Sequence, residues 1–310
     1  MKILITGATG FIGRNLAMRL IGDGHEVVCA GRSFGKINFL LDKAKTAFID
    51  LNKKESIAET LDREKPEVIY HCAALVESVS LGRLFKVNAE GTGNLLEACF
   101  KRNINKVIYL SSIAVVSGND DVPLTSELPY KATSAYGRSK LEAEKIAIDY
   151  RKKGMKIAIL RPPMVYGECE PHALSSLVSA LKKRLLPVFG KGDKKLHLVS
   201  VENLVDVMVL CLSRKEAYEG TYFVADKEVL DVKQIMDYVA DTIGAKRPVV
   251  LPGFIATMFG KIPIIKRWLS LYLKDRIYDI KPLREKLGYV PRVSIYDGLK
   301  RAVASCERRT

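Results

Sequence analysis

Residues 2–13 read KILITGATGFIG, and this stretch decides the fold. Ile3, Leu4 and Ile5 form an uninterrupted apolar run, which is typical of a strand buried on both faces of a parallel sheet. Three glycines follow in the spacing GxxGxxG, and apolar residues recur at helical spacing from Phe11 onward. A strand, a glycine-rich turn and a helix in this order predict a dinucleotide-binding turn, because the unpaired N–H groups at a helix start can hold a diphosphate.

The three glycines of this turn have separate predicted roles. Gly7 allows a tight turn, Gly10 lets the backbone approach a diphosphate, and Gly13 lets the helix pack close to the strand. The spacing is one residue longer than the GxGxxG form, and a turn with a purely structural role is the alternative. If the turn holds a cofactor, the contacts come from Gly7, Thr9, Gly10, Phe11, Ile12 and Gly13.

The composition describes an ordinary globular protein. The chain has 310 residues, of which 48% are hydrophobic and 27% charged, enough for one large domain or two smaller ones. Its six cysteines form no CxxC pair and its four histidines show no ligand spacing, so we expect no metal site and a reducing, cytoplasmic compartment. Met1 leads directly into the first strand, so we expect no signal peptide. The uncharged run 248–260 is shorter than the roughly 20 residues that span a membrane.

The formal net charge is +15, from 50 Lys and Arg residues against 35 Asp and Glu residues. The basic residues cluster in short groups, and no aromatic-interleaved stripe or nucleic-acid motif accompanies them. We therefore expect no nucleic-acid binding. An anionic cofactor or substrate, or an acidic surface nearby, would suit this charge.

Strand-like and helix-like patterns alternate along the first half of the chain. We predict further strands over 26–30, 46–49, 67–72, 106–110 and 156–160, and helices over 55–63, 81–102 and 134–153. This alternation predicts an α/β fold: a doubly wound, Rossmann-like parallel sheet with a smaller, discontinuous α+β substrate lobe. We assign 1–166 and 196–225 to the dinucleotide-binding domain, and 167–195 and 226–310 to the substrate lobe.

The end of the second predicted strand indicates which cofactor is preferred. An acidic residue about 18 positions after the last glycine would bind the adenosine ribose hydroxyls of NAD. That position is Gly31, and Arg32 follows it. A guanidinium suits a 2′-phosphate, because its fork of N–H groups pairs with phosphate oxygens. We therefore predict NADP(H) as the preferred cofactor and NAD(H) as the second option, with an exposed loop arginine as the alternative interpretation of Arg32.

A second constellation predicts acid–base chemistry. Ser111 and Ser112 follow a buried strand, so they emerge at the carboxyl edge of the sheet, where ligands bind in such folds. Tyr136 and Lys140 open a helix at i, i+4 spacing and share one face of it. A nearby ammonium would lower the pKa of the tyrosine toward a useful range and could hydrogen-bond the nicotinamide ribose. We predict that Ser112 holds the substrate oxygen while Tyr136 gives or takes its proton, with Ser111 as the fallback.

Taken together, the motifs resemble those of the extended short-chain dehydrogenase/reductases, the NAD(P)-dependent epimerase/dehydratase family, on its reductase and 3β-hydroxysteroid dehydrogenase-like side. The resemblance is carried by the glycine turn, HCAA (71–74), VNAEGT (87–92), YGRSK (136–140), RPPMVYG (161–167) and LGYVP (287–291). In this family the catalytic hydroxyl begins an SxxV run, which here favours Ser112. The resemblance implies a homodimer through the two long helices. It also implies cofactor contacts from Asp50, Leu51, Ala73, Ala74, Asn88, Tyr136, Lys140 and Pro163.

The resemblance leaves more than one reaction class open. Dehydratases of the family carry an Asp-Glu pair after the catalytic hydroxyl, where this chain has Ile113 and Ala114, and this disfavours dehydration. Gly31 and Arg32 resemble the reductases that use NADPH. We therefore predict an oxidoreductase that transfers a hydride between a nicotinamide cofactor and a hydroxyl or keto carbon of a small or lipophilic substrate. A nucleotide-sugar epimerase with tightly bound NAD(P) is the first alternative, and a non-catalytic NADP-sensing scaffold is the second.

The apolar stretch 254–272 bears on the substrate and on membranes. Its apolar residues recur at helical spacing, which indicates a lid or core helix or, alternatively, a site for a lipophilic substrate. Lys261, Lys266 and Arg267 lie in this stretch and leave room for a peripheral membrane contact.

Overall fold

The computed structural model describes residues 1–40, 42–76, 80–171, 173–255 and 274–307. Seven strands form one parallel sheet in the spatial order β11-β6-β5-β4-β1-β2-β3. They are β1 (Lys2–Thr6), β2 (Glu26–Gly31), β3 (Lys45–Phe48), β4 (Val68–His71), β5 (Lys106–Leu110), β6 (Lys156–Arg161) and β11 (Thr221–Phe223). The chain winds in opposite directions on the two sides of β1. Ligands bind at the carboxyl ends of the strands near such a reversal.

Helices cover both faces of the sheet, because the side chains of a strand alternate between its two faces. Ile3 and Ile5 pack with α1 and α7, whereas Leu4 packs in a second core with α2, α4 and α5. The strand is therefore buried on both faces, as predicted. The helices are α1 (Phe11–Gly22), α2 (Lys54–Glu64), α3 (Leu81–Phe85), α4 (Gly91–Lys101), α5 (Ala135–Lys152) and α7 (Val201–Leu210).

The later part of the chain forms smaller elements around a separate apolar cluster. Three strand pairs join β7 (Val165–Tyr166) to β10 (Val199–Ser200), β9 (Lys195–Leu196) to β12 (Leu230–Asp231), and β8 (Val188–Phe189) to β13 (Val250–Leu251). The helices are α6 (Ala173–Lys182), α8 (Val232–Thr242), α9 (Lys281–Leu287) and α10 (Ile295–Glu307). The cluster packs apolar side chains of α6, α8 and α10 together.

The structure confirms the predicted doubly wound parallel sheet, with strand ends shifted by one or two residues. The chain is helical over 81–101, in agreement with the predicted helix, and a π-helical turn at Lys86–Glu90 joins α3 to α4. Most of the apolar stretch 254–272 lies outside the described residues, as do its three basic residues. The helices in the described part of the chain are all too short or too polar to cross a bilayer. The assignment of ranges to two domains stays a prediction.

Candidate functional site

The glycine turn after β1 has a shape that side chains would fill. Gly7 has a φ of +71°, and a Cβ atom there would lie 2.7 Å from the backbone of Ala73. At Gly13 a Cβ atom would lie 2.3 Å from the Gly7 carbonyl oxygen. Both positions therefore require glycine. Helix α1 begins directly after Gly10, so its first N–H groups face the carboxyl edge of the sheet, as a diphosphate site requires.

A cavity of about 240 Å³ adjoins this turn at the carboxyl ends of β1, β2 and β4. Its wall contains eight of the predicted cofactor residues: Gly7, Thr9, Gly10, Arg32, Asp50, Leu51, Ala73 and Ala74. Gly31 lies beside Arg32 in the wall and leaves open the space that an acidic side chain would occupy. The backbone cradle, the apolar wall and the basic group fit the phosphates and adenosine of a dinucleotide.

Several predicted cofactor residues do not line this cavity. Phe11 and Ile12 pack against the core on the α1 side of the sheet. Asn88 lies behind the loop that follows β4, where its side-chain amide bonds the Leu75 carbonyl at 2.8 Å and accepts from the Leu75 N–H at 2.7 Å. Its amide nitrogen also donates to Ser139 at 2.9 Å, which connects the loop to α5.

Besides Gly31, six residues of the cavity wall are not among the predicted contacts: Ile49, Asn52, Cys72, Leu75, Arg83 and Val87. Arg83 is a second basic residue in the wall that contains Arg32. It lies on the short helix α3, in no motif and at no spacing that would have indicated it. Only the folding of the chain brings α3 to this cavity.

A buried histidine supports the loop at the end of β4. The Nδ1 atom of His71 lies 2.7 Å from the Thr6 hydroxyl, and Nε2 lies 2.9 Å from the Thr92 hydroxyl. Burial lowers the pKa of His71 to about 3, with a smaller effect from the charge of Lys140, so the ring is neutral. These bonds tie β1, β4 and α4 together beneath the cavity.

The predicted acid–base residues meet at the carboxyl end of β5. Tyr136 lies near Ser112, close enough for the Ser112 hydroxyl to lower its pKa, and the Ser112 hydroxyl accepts from the Ala114 N–H at 3.2 Å. Lys140 is 1% exposed, and its ammonium donates to the Leu110 carbonyl at 2.8 Å and lies 4.3 Å from the centre of the Tyr109 ring. Three groups that were 24 and 28 residues apart in the chain are thus neighbours.

The expected effect of Lys140 on Tyr136 is not what the structure shows. Burial raises the pKa of Tyr136, and the neighbouring Ser112 hydroxyl lowers it by less. The ammonium does not favour the phenolate here, because it is held on the Leu110 carbonyl and over the Tyr109 ring. The expectation of a lowered tyrosine pKa is therefore wrong, and Tyr136 is a neutral phenol that can donate a proton. Burial also lowers the pKa of Lys140 to about 7.

Geometry separates the two candidate serines. The Ser111 hydroxyl is buried and donates to the Glu144 carboxylate at 2.5 Å, so its hydroxyl is already engaged with α5. Ser112 is partly exposed and faces Tyr136.

Pro163 follows β6 at the same edge of the sheet, and the next residue, Met164, is 43% exposed. Within the described part of the chain, no group of acidic, histidine or cysteine side chains could hold a metal ion.

The fold and this site define a class: dinucleotide-binding enzymes of the extended short-chain dehydrogenase/reductase type. A sequence profile of the NAD dependent epimerase/dehydratase family matches residues 3–225, and the chain belongs to this family. It is an NAD(P)-dependent oxidoreductase or epimerase.

Three similar proteins illustrate the range of the family. The chain is 28% identical to a UDP-glucose 4-epimerase of Vibrio cholerae, over 96% of this chain and 93% of that protein. It is 24% identical to a 2-alkyl-3-oxoalkanoate reductase of Shewanella oneidensis, over 97% of this chain and 85% of that one. A crystal structure of UDP-glucuronic acid 4-epimerase from Bacillus cereus in complex with NAD superposes with a TM-score of 0.84. That pair is 23% identical and covers 100% and 99% of the two chains, and this similarity shows the fold.

Proposed function

We propose that this protein is an NADP(H)-dependent reductase or dehydrogenase, acting on a hydroxyl or keto carbon of a small or lipophilic substrate. The observation that carries the proposal is the cavity wall, where Gly31 stands in the position expected to carry an acid, Arg32 lies beside it and Arg83 lines the same cavity. Two guanidiniums favour a 2′-phosphate, whereas a carboxylate at Gly31 would repel it.

The residues have distinct proposed roles toward the cofactor. The backbone of Gly7 to Gly13 holds the diphosphate at the start of α1, and Asp50 and Leu51 flank the adenine. Arg32 binds the 2′-phosphate. When bound, the nicotinamide supplies or accepts the hydride. Lys140 and Pro163 stay proposed cofactor contacts, since they lie at the same carboxyl edge of the sheet.

The proton is moved by the residues at the end of β5. Ser112 donates a hydrogen bond to the substrate oxygen, and Tyr136 donates its proton to that oxygen as it gains charge. The raised pKa of Tyr136 keeps it protonated at neutral pH, which suits reduction of a carbonyl. The Lys140 ammonium is held on the Leu110 carbonyl beside these residues, and its proposed role is a hydrogen bond to the nicotinamide ribose. In the oxidation direction each transfer is reversed.

A nucleotide-sugar epimerase is the second candidate function. The relative from Vibrio cholerae supports it, and so does the Ser112–Tyr136–Lys140 set, because epimerisation through a keto intermediate needs the same proton transfer. The exposed apolar Met164 beside the site favours a lipophilic substrate over a sugar. Ile113 and Ala114, which begin a short 3₁₀ turn after Ser112, offer no group that could remove water. A silent NADP-sensing scaffold would need no serine, tyrosine and lysine set for proton transfer.

Two measurements test the proposal. Fluorescence titration compares NADPH with NADH; we expect tighter NADPH binding, and tighter NADH binding would contradict the proposed role of Arg32. Arg32→Ala should weaken NADPH binding by about tenfold or more and leave NADH binding nearly unchanged.

Turnover is assayed by NADPH oxidation with ethyl acetoacetate, a 3-keto ester, beside conversion of UDP-glucose. Tyr136→Phe should abolish whichever reaction the wild type catalyses.

Further proposals concern the assembly and its setting. We propose a homodimer through α4 and α5, where Phe100 is 43% exposed and contacts Tyr150 edge-on at 5.9 Å between ring centres. Analytical ultracentrifugation of Phe100→Asp beside the wild type tests it, with a monomeric variant expected. A cytoplasmic location and a peripheral membrane contact stay proposals that rest on the sequence.

A further inference from the structure

Three consecutive residues at the end of β5 contact three residues that are spaced one helical turn apart on α5. We call these three contacts the ladder. Its rungs are the approach of the Tyr136 phenol to Ser112, the bond from Lys140 to the Leu110 carbonyl at 2.8 Å, and the bond from Ser111 to Glu144 at 2.5 Å. Two rungs hold residues of the proposed mechanism. The third rung has no part in that mechanism so far.

The Glu144 carboxylate is fully buried and accepts several hydrogen bonds. Tyr130 donates its hydroxyl at 2.8 Å, and the Arg161 guanidinium pairs with both carboxylate oxygens. Arg161 also donates to the Ser126 carbonyl at 3.0 Å. A buried ion pair costs free energy unless its hydrogen bonds are satisfied, as they are here. The pair therefore joins α5 to the ends of both β5 and β6.

We propose that Glu144 is a positioning residue for Ser112, Tyr136 and Lys140, and that it acts through Ser111. The inference rests on the proposed function, which gives those three residues their roles toward substrate and cofactor. The short bond from Ser111 fixes the peptide immediately before Ser112 and sets how β5 lies along α5. Ser112 then stays within reach of Tyr136. A displacement of about 1 Å in reacting groups can cost about 100-fold in rate, so this register matters.

Glu144 also influences the charge of Lys140. Burial lowers the pKa of Lys140 to about 7, and the Glu144 carboxylate, one turn further along α5, opposes that shift. Cys72 opposes the shift by less than Glu144 does, and burial keeps His71 neutral. The titratable groups that face Lys140 are His71 on β4, Cys72 after it, Tyr109 on β5 and Glu144 on α5.

The electrostatic part is tested without any substrate. Lysine labelled with ¹³C at Cε reports the pKa of Lys140 by NMR titration, and Lys140→Met identifies its resonance. We expect Glu144→Gln to lower the pKa of Lys140, because the carboxylate is lost and the Arg161 charge is no longer neutralised. An unchanged or higher pKa would overturn this part. Circular dichroism checks that the variant is folded.

The positioning part is tested by turnover with ethyl acetoacetate and NADPH, or with UDP-glucose if that is the reaction catalysed. Ser111→Ala removes the third rung without changing any charge, and we expect kcat to fall about 10- to 100-fold with little change in NADPH affinity. Ser111→Thr keeps the hydroxyl and should recover most of the rate. Tyr130→Phe is the matched control, since it removes another neutral hydrogen bond to Glu144 but leaves the rung in place. Its kcat should stay within about threefold of the wild type.

The outcomes separate this inference from the proposed function. If Tyr136→Phe abolishes turnover while Ser111→Ala is as fast as the wild type, the inference is wrong and the proposed function stands. If Tyr136→Phe retains full turnover, the proposed function itself is wrong. Equal losses in Ser111→Ala and Tyr130→Phe would indicate a general loosening of the buried contacts, and would overturn the inference as well.

Discussion

The buried ammonium of Lys140 predicts an unusual dependence of stability on pH. Burial lowers its pKa from 10.5 to about 7 in the folded protein, and unfolding restores the ordinary value. Between these two values the unfolded chain binds a proton that the folded chain does not. The free energy of unfolding therefore rises with pH through this window. The cost of burying the charge is fully present below about pH 7 and fades as the pH approaches 10.5.

The magnitude follows from the same shift. Each unit of pH within the window contributes up to about 1.4 kcal/mol, and from pH 7 to pH 9 the gain comes to about 2 kcal/mol once partial titration near pH 7 is included. Lys140→Met removes the titrating amine, so this dependence on pH is absent from the variant. The stability of the wild type relative to Lys140→Met should therefore increase by about 2 kcal/mol between pH 7 and pH 9.

Urea unfolding followed by circular dichroism at pH 7, 8 and 9, without added cofactor, measures this difference. Lys145→Met is the matched control, because Lys145 lies on the same helix with an exposed side chain paired to Glu142. Its difference from the wild type should stay flat over the same range. A flat or falling difference for Lys140→Met would refute the claim that burial has displaced the lysine pKa.

Three further predictions concern other parts of the molecule. Gly13→Ala should lower the free energy of unfolding by about 1–3 kcal/mol and weaken NADPH binding, because the added Cβ would lie 2.3 Å from the Gly7 carbonyl oxygen. An unchanged melting temperature and an unchanged NADPH affinity would contradict this. Arg83→Ala should weaken the binding of 2′,5′-ADP by about tenfold more than the binding of ADP, as measured by calorimetry. Equal weakening of both would place Arg83 away from the 2′-phosphate. Burial raises the pKa of Asp226 to about 6, so the folded protein binds more protons than the unfolded chain above about pH 4. Relative to Asp226→Asn, the wild type should therefore lose stability from pH 4 to pH 6 in thermal unfolding, and a rising difference would argue against it.

The sequence by itself determined the fold and the glycine turn that adjoins the cavity. Strands and helices follow from the alternation of apolar residues, and the glycine turn follows from backbone sterics at Gly7 and Gly13. These are local properties, so a single chain carries them in readable form. Because the carboxyl ends of parallel strands meet at one edge, the sequence could also predict that Arg32, Ser112 and Tyr136 lie at the same side of the sheet.

Only the tertiary structure decided how the groups at that edge act on one another. The pKa of Tyr136 depends on its burial and on where the Lys140 ammonium finds its partner, and neither can be read from their i, i+4 spacing. The contribution of Arg83 to the cavity and the bond from Ser111 to Glu144 likewise arise from contacts between distant segments. Desolvation and long-range hydrogen bonds depend on the packed surroundings of a group, and those surroundings exist only once the chain has folded.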